Sequence, residues 1–227
     1  MDRSKEPFEM RAAEYDAWFD SESGRIVFAR EVACLRKVMS PPTGQWLEVG
    51  VGTGRFAAAL GVMDGIDPSD AMRAMAEQRG IRTVEGVGES LPYADRIFDG
   101  ILMTTTLCFL ADPAKSFEEC HRVLKKTGRL VVGLIPADSP WGRLYARKAA
   151  QGHPIYSAAT FHSPEDVIRL ANGSGFEFQE AWCCLLTPPE DLTGEGPPHC
   201  GIVPDAGFVT MAFMKRHLVE VLAGEVR

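Results

Sequence analysis

Leu47-Glu48-Val49-Gly50-Val51-Gly52-Thr53-Gly54-Arg55-Phe56 carries an apolar run into a helical pattern through three glycines at alternate positions. Where a strand passes into a helix, glycine lets the backbone turn sharply and approach a ligand closely, because no Cβ intervenes. The spacing excludes two phosphate-binding signatures. A P-loop needs Gly-Lys-Ser/Thr, which is missing, and the dinucleotide fingerprint G-x-G-x-x-G needs a glycine where Arg55 stands. What remains is G-x-G-x-G with Glu48 two residues ahead of the first glycine. A carboxylate so placed repels pyrophosphate and suits a cationic amine.

The next apolar run closes on Gly65-Ile66-Asp67-Pro68-Ser69. An acid at the end of a second strand can accept both hydrogens of a ribose diol. Singly, each element has a plainer reading, the glycines as a tight turn and Asp67 as a helix cap. Together, in a strand-turn-helix-strand context, they describe a nucleoside site.

Farther out, short apolar runs at 46–49, 62–66, 81–84, 98–103 and 129–135 alternate with helical patterns, which predicts parallel strands joined by crossover helices. One connector helix is expected over 113–126, with Asp112 as N-cap, Pro113 at its first position and Gly128 beyond its end. Upstream, Phe8, Arg11 or Ala12, Tyr15 and Phe19, then Ile26, Phe28, Val32, Leu35 and Val38, recur at helix spacing until Pro41-Pro42-Thr43-Gly44. Downstream, 136–162 loosens into a segment carrying Trp141, Tyr145, His153, Tyr156, Phe161 and His162, and Ser163-Pro164-Glu165-Asp166 opens another helix. Two more strands are expected at 176–186 and 208–214, separated by a surface loop with five prolines and four glycines.

Composition narrows the class. With 227 residues, 45% of them apolar and 24% charged, the chain is long enough for one well-buried core and shows no bias toward disorder. A net charge of -7 argues against a protein that grips nucleic-acid phosphates, and Lys125, Lys126 and Arg129 read as a solvated helix end. The first residues, Met1-Asp2-Arg3-Ser4-Lys5-Glu6, lack the apolar core of a signal peptide, and no run approaches the ~18 apolar residues of a spanning helix, so the expectation is a cytoplasmic protein off the membrane. Six cysteines, at 34, 108, 120, 183, 184 and 200, form no C-x-x-C pair or zinc spacing and read as reduced thiols. No metal is expected. Cys183 and Cys184, adjacent on a strand, should face opposite sides, one toward the core and one toward the surface.

From about residue 8 to 136 the chain resembles the class I S-adenosylmethionine-dependent methyltransferases, in particular their small-molecule type. The resemblance rests on an ordered set: Glu48-x-Gly50-x-Gly52-x-Gly54, Asp67-Pro68-Ser69 with Met72, Gly88-Glu89-Ser90-Leu91-Pro92-Tyr93, Phe98-Asp99, and Arg122-Val123-Leu124-Lys125-Lys126-Thr127-Gly128. It implies an α/β, Rossmann-like, seven-stranded and mostly parallel sheet with helices on both faces and an antiparallel last strand. One domain over 1–227 follows, with 1–40 as a helical cover and 136–162 as a lid-like insertion. The cofactor implied is S-adenosylmethionine, with S-adenosylhomocysteine as product. Gly50, Gly52 and Gly54 would pack against its methionine part, Asp67 beside Pro68 would hold the ribose, and Glu48 would order the turn or orient the ammonium. Met72 and Leu91 would flank the adenine, Gly88, Glu89 and Ser90 would meet its polar edge, and Thr104 would line the path to the sulfonium. Tyr15 would fold over the cofactor or pack its helix onto the core.

Two positions depart from that pattern. Val87 stands where many relatives carry an acid for the adenine amino group, leaving Glu89 or backbone carbonyls to serve. Cys108-Phe109 stands where relatives with quinone-like or small acceptors often carry His-His. Methyl transfer from a sulfonium is an in-line displacement that needs alignment, desolvation and, for a protonated acceptor, a base, so no triad is required. His153 and His162 are the candidate bases, with surface or helix-capping roles as the plainer reading. Trp141, Tyr145 and Tyr156 would line an acceptor pocket or close the sheet edge. The expected acceptor is a small molecule, without nucleic acid or membrane as partner. Two other classes stay open: a non-catalytic S-adenosylmethionine-binding protein and a nicotinamide-dependent oxidoreductase.

Overall fold

The structure is a computed structural model that describes residues 5–39, 43–192 and 196–216. The stop at Pro41-Pro42 lies outside the described residues. Two helices open the chain, α1 (Lys5–Trp18) and α2 (Glu22–Met39), as the aromatic and apolar spacing predicts. The alternating part follows as β1 (Trp46–Val49), α3 (Arg55–Leu60), β2 (Asp64–Asp67), α4 (Asp70–Gln78), β3 (Arg82–Glu85), β4 (Phe98–Thr104), α5 (Pro113–Val123) and β5 (Leu124–Leu134). Then come α6 (Pro140–Ala150), α7 (Pro164–Gly173), β6 (Phe176–Cys184), β7 (His199–Cys200) and β8 (Phe208–Lys215).

The strands form one sheet in the order β3-β2-β1-β4-β5-β8-β6-β7. Pairing is parallel from β3 to β5, and β8 runs antiparallel to both β5 and β6, as expected for the last strand. Among the described residues the sheet has eight strands rather than seven. The extra one is the two-residue β7, which pairs Cys200 with Trp182 and His199 with Cys183 at the edge, inside the stretch expected as plain loop. Its prolines and glycines mark turns but do not prevent a brief edge pairing.

Side chains alternate between two cores, one on each face of the sheet. Leu47, Ile101, Met103, Val132 and Met211 join α5 and α7 on one side, while Trp46, Leu102, Val131 and Ala212 join α2 and α3 on the other. Cys183 and Cys184 divide between the same two cores. The expected surface role for one of them does not hold, because helices cover both faces there and both thiols are buried.

Local chemistry explains where the helices start. The side chains of Asp112, Ser139 and Ser163 accept hydrogen bonds from the backbone of Lys115, Gly142 and Asp166, and a proline follows each cap. Two expectations need correction here. Residues 136–162 are not a loose segment, since Ser139-Pro140 starts α6 by the same chemistry that Ser163-Pro164 uses for α7. The connector helix ends at Val123 rather than Lys126. Leu124 turns extended, at φ -72° and ψ 140°, to pair with Phe98, and Lys125 bonds Asp99 at 2.8 Å. Strand pairing there overrides a helix-favouring sequence.

Candidate active site

The site forms where β1, β2 and β4 end. Gly50 and Val51 donate their N–H groups to the Ile66 carbonyl at 2.8 and 3.0 Å, which folds the turn back onto β2. Asp67 then fixes the turn from the other side. Its Oδ2 accepts from Gly52 N–H and its Oδ1 from Ser69 N–H, both at 2.9 Å. Burial pushes the Asp67 carboxyl up, and these backbone bonds oppose it. An ionised carboxylate has about four lone-pair positions, so acceptor capacity remains for a ligand.

Glu48 is buried one step deeper. Its Oε2 has no hydrogen-bond partner among the described residues, and burial drives its carboxyl well above the usual range against the pull of the Ala57 N–H. Thr104 Oγ1, at the end of β4, is likewise buried without a partner. Such orphaned polar atoms carry a desolvation cost of about 1–3 kcal/mol each and are offset when a ligand pairs with them.

Around these groups lies a cavity of about 970 Å³ including its mouth, lined by Tyr15, Glu48, Gly50, Gly52, Asp67, Pro68, Met72, Gly88, Glu89 and Thr104. Three expected residues stand elsewhere. Gly54 caps α3 and faces Ala76, Ser90 is exposed and bridges Val87, and Leu91 is buried in the core, while Leu110 lines the cavity instead. Glu89 does line the wall, but its Oε1 already accepts from the N–H groups of Ala111 at 2.8 Å and Asp112 at 3.1 Å.

Helix α1 closes one side. Phe8, Tyr15 and Phe19 all line the cavity, linked edge-to-face in a chain that begins at Phe109, with ring centroids 4.9, 5.8 and 5.5 Å apart. Arg55, the residue that spoils the dinucleotide fingerprint, holds this helix in place. Its guanidinium donates to both oxygens of Asp16 at 2.8 Å and to those of Asp20 at 3.0 and 2.7 Å. Arg79 adds a bond to Asp16 at 2.8 Å while also donating to the Thr53 carbonyl at 2.9 Å. Burial alone would raise the Asp16 carboxyl, but bonds from Arg55, Thr53 and Arg79 hold it down at about 2. No sequence spacing announced this latch, because Asp16, Asp20, Arg55 and Arg79 lie on α1, the turn after it, α3 and the C-cap of α4.

A second chamber, about 1750 Å³ with its open mouth, adjoins the first across a shared wall of Tyr15, Phe19, Phe56, Thr105 and Phe109. Thr105 takes a left-handed backbone there, with φ 52°, unusual for a β-branched residue. Trp141, Tyr145 and Tyr156 line this chamber rather than merely sealing the sheet, and so does His153. Burial and the Lys148 charge lower the His153 value, which favours the neutral imidazole. His162 lines a small cavity that shares Thr105, Cys108, Ile135 and Phe161 with the second chamber, and its Nε2 is buried without a hydrogen-bond partner among the described residues. Cys108 also lines the chamber, and burial pushes its thiol up to about 12, so it remains protonated. Glu31, Glu14 and Lys148, none of them singled out from the sequence, also line this chamber.

Comparison with known proteins agrees with this geometry. Residues 47–132 match a family model described as a methyltransferase domain. An uncharacterised protein of Mycobacterium tuberculosis is 43% identical over 205 residues, covering 88% of this chain and 71% of its own, and one of Methanocaldococcus jannaschii is 40% identical over 170 residues, covering 75% and 80%. A crystal structure from Thermotoga maritima, described as an S-adenosylmethionine-dependent methyltransferase and possible histamine N-methyltransferase, superposes with a TM-score of 0.86. It shares 34% identity and covers 94% of this chain and 100% of that one. A glycine turn with an acid at the end of the second strand, on a sheet of this order, defines a class I nucleoside-binding methyltransferase fold. The chain belongs to the S-adenosylmethionine-dependent methyltransferases. None of its described helices is long and apolar enough to cross a membrane.

Proposed function

We propose that the chain transfers a methyl group to a small-molecule acceptor held in the second chamber, with the cofactor held at the glycine turn. The observation that carries this reading is the pair of cavities sharing one aromatic wall. The first fits the cofactor: open space at Gly52, spare capacity on Asp67 and the orphaned Glu48 Oε2 match an amino-acid head and a ribose. Asp67 would hold the ribose diol, the turn at Gly50 and Gly52 the methionine part, and Met72 with Leu110 the adenine faces. When bound, S-adenosylmethionine supplies an electrophilic methyl on a sulfonium. Phe8, Tyr15 and Phe19 exclude water from that side, and Thr105 with Phe109 forms the passage to the acceptor. His153, whose neutral form burial and the Lys148 charge favour, lines the same chamber.

Titration calorimetry tests the first cavity. S-adenosylmethionine and S-adenosylhomocysteine should bind and NAD should not. Asp67→Ala should weaken binding by roughly 2–4 kcal/mol through loss of charge-assisted bonds, whereas an unchanged dissociation constant would leave Asp67 only its bonds to Gly52 and Ser69. Release of S-adenosylhomocysteine, followed across a panel of small acceptors that includes histamine, separates an enzyme from a protein that only binds the cofactor.

A further inference from the structure

Glu31 occupies the face of α2 that also buries Val27, Cys34, Leu35 and Val38, yet it carries a carboxyl and only 4% of its surface is exposed. It lines the second chamber. No group among the described residues pairs with it: burial is the sole influence on its carboxyl, which rises to about 8. A buried acid without a partner is costly, and the cost falls when a cation or a proton donor meets it.

The surroundings select which donor. Tyr15, Tyr145 and Tyr156 line the same chamber, and burial above all, with smaller contributions from neighbours that include Glu31, raises all three phenols, so none of them serves as an ionised base. The rings of Tyr145 and Tyr156 lie 4.6 Å apart, and their faces already receive a cation at the rim, the Lys148 ammonium at 5.3 and 6.0 Å. Aromatic faces attract ammonium groups in this way. Among the other charges at the mouth, Arg11 and Glu14 satisfy each other at 2.6 Å. Glu31 is therefore the inner acid, set among flat apolar walls and drawn into its ionised form by an incoming ammonium.

We propose that the chamber binds a small amine with a ring-bearing apolar body, its nitrogen seated on the Glu31 carboxylate between Tyr15, Tyr145 and Tyr156, and that Glu31 takes the proton this nitrogen must lose. The proposal rests on the reading of the chamber as the acceptor site. In the step, an N–H bond of the ammonium breaks and its proton passes to a Glu31 oxygen, leaving a neutral amine with a free electron pair. That pair forms the new bond to the methyl carbon while the carbon–sulfur bond breaks and its electrons stay on sulfur. The product is a methylated ammonium, and Glu31 returns its proton to water.

The test compares matched pairs on protein saturated with S-adenosylhomocysteine: phenethylamine against 2-phenylethanol, and tryptamine against tryptophol, by calorimetry. The amine should bind roughly 10- to 100-fold more tightly than its alcohol, as expected for a charge-assisted bond. Glu31→Gln should reduce that ratio to near one while leaving S-adenosylhomocysteine binding and alcohol binding unchanged. Equal binding within each wild-type pair, or a ratio that survives the substitution, overturns the proposal, and the wild-type ratio decides even if the variant does not fold. Failure of S-adenosylhomocysteine itself to bind strikes the cofactor reading instead, so the two failures are distinguishable.

Discussion

Three glycines in one turn are required for three different reasons. A Cβ on Gly50 would stand 2.2 Å from Thr106 Cγ2, and one on Gly54 would stand 2.9 Å from Ala76, whereas one on Gly52 would meet nothing within 4 Å. All three have positive φ, so alanine at any of them costs about 1–2 kcal/mol in backbone strain. Gly52→Ala should therefore fold, melt roughly 3–8 °C lower, and bind S-adenosylhomocysteine about tenfold or more weakly, since the new methyl would enter ligand space. Gly50→Ala should melt lower still, because Thr106 cannot move without giving up its bonds to Gly50 and Thr104 carbonyls. Melting curves with calorimetry check both, and undiminished binding by Gly52→Ala would move the ligand away from the turn. Spacing marked Gly50, Gly52 and Asp67, which line one cavity because the turn that joins them is local. Gly54 and Leu91 stand outside that cavity because the same motif also serves packing, and its spacing does not distinguish a lining glycine from a packed one. Glu31 was legible in principle as a carboxylate at a core-facing helix position.

The latch on α1 makes this helix a conditional element. Asp16 joins Arg55 and Arg79 where both arginines stay partly wet, at 16% and 27% side-chain exposure. Breaking it should cost about 2–3 kcal/mol, below the ~3–5 of a fully buried pair. Asp16→Asn should accelerate hydrogen exchange across Lys5–Trp18 while leaving α5 unchanged; equal exchange in both proteins would show that the aromatic chain alone seats the helix. The pH dependence has a definite sign. Because the folded Asp16 value, about 2, lies below its unfolded one near ~4, its stabilisation is complete at neutral pH and is lost as pH falls from 4 through 2. Element types were readable from periodicity, while boundaries yielded to tertiary pairing, as where Leu124 leaves the helix for Phe98. The helix α6 escaped notice because its aromatic residues drew the reading toward a pocket, although Ser139-Pro140 stood in view.

At the scale of the molecule, the cavities lie beyond the carboxyl ends of the parallel strands, where open α/β sheets place their ligands. If residues 8–19 and 136–162 together cover the site, adding S-adenosylhomocysteine should slow exchange in both stretches and leave Pro113–Val123 unaltered. Protection confined to 50–54 and 67 would instead leave the second chamber open to solvent throughout. The mostly parallel sheet and its antiparallel last strand followed from the resemblance; the edge strand β7 did not, since two residues carry no periodicity. Beyond the wall they share, the two cavities draw largely on different parts of the chain. Apart from the α1 side, the first cavity is lined from within the stretch matched by the methyltransferase family, whereas Glu31, Trp141, Tyr145 and Tyr156 lie outside it. If the second chamber holds the acceptor, descendants of such a chain can keep the glycine turn unchanged and diverge in diet by rewriting α2, α6 and the segment around Tyr156.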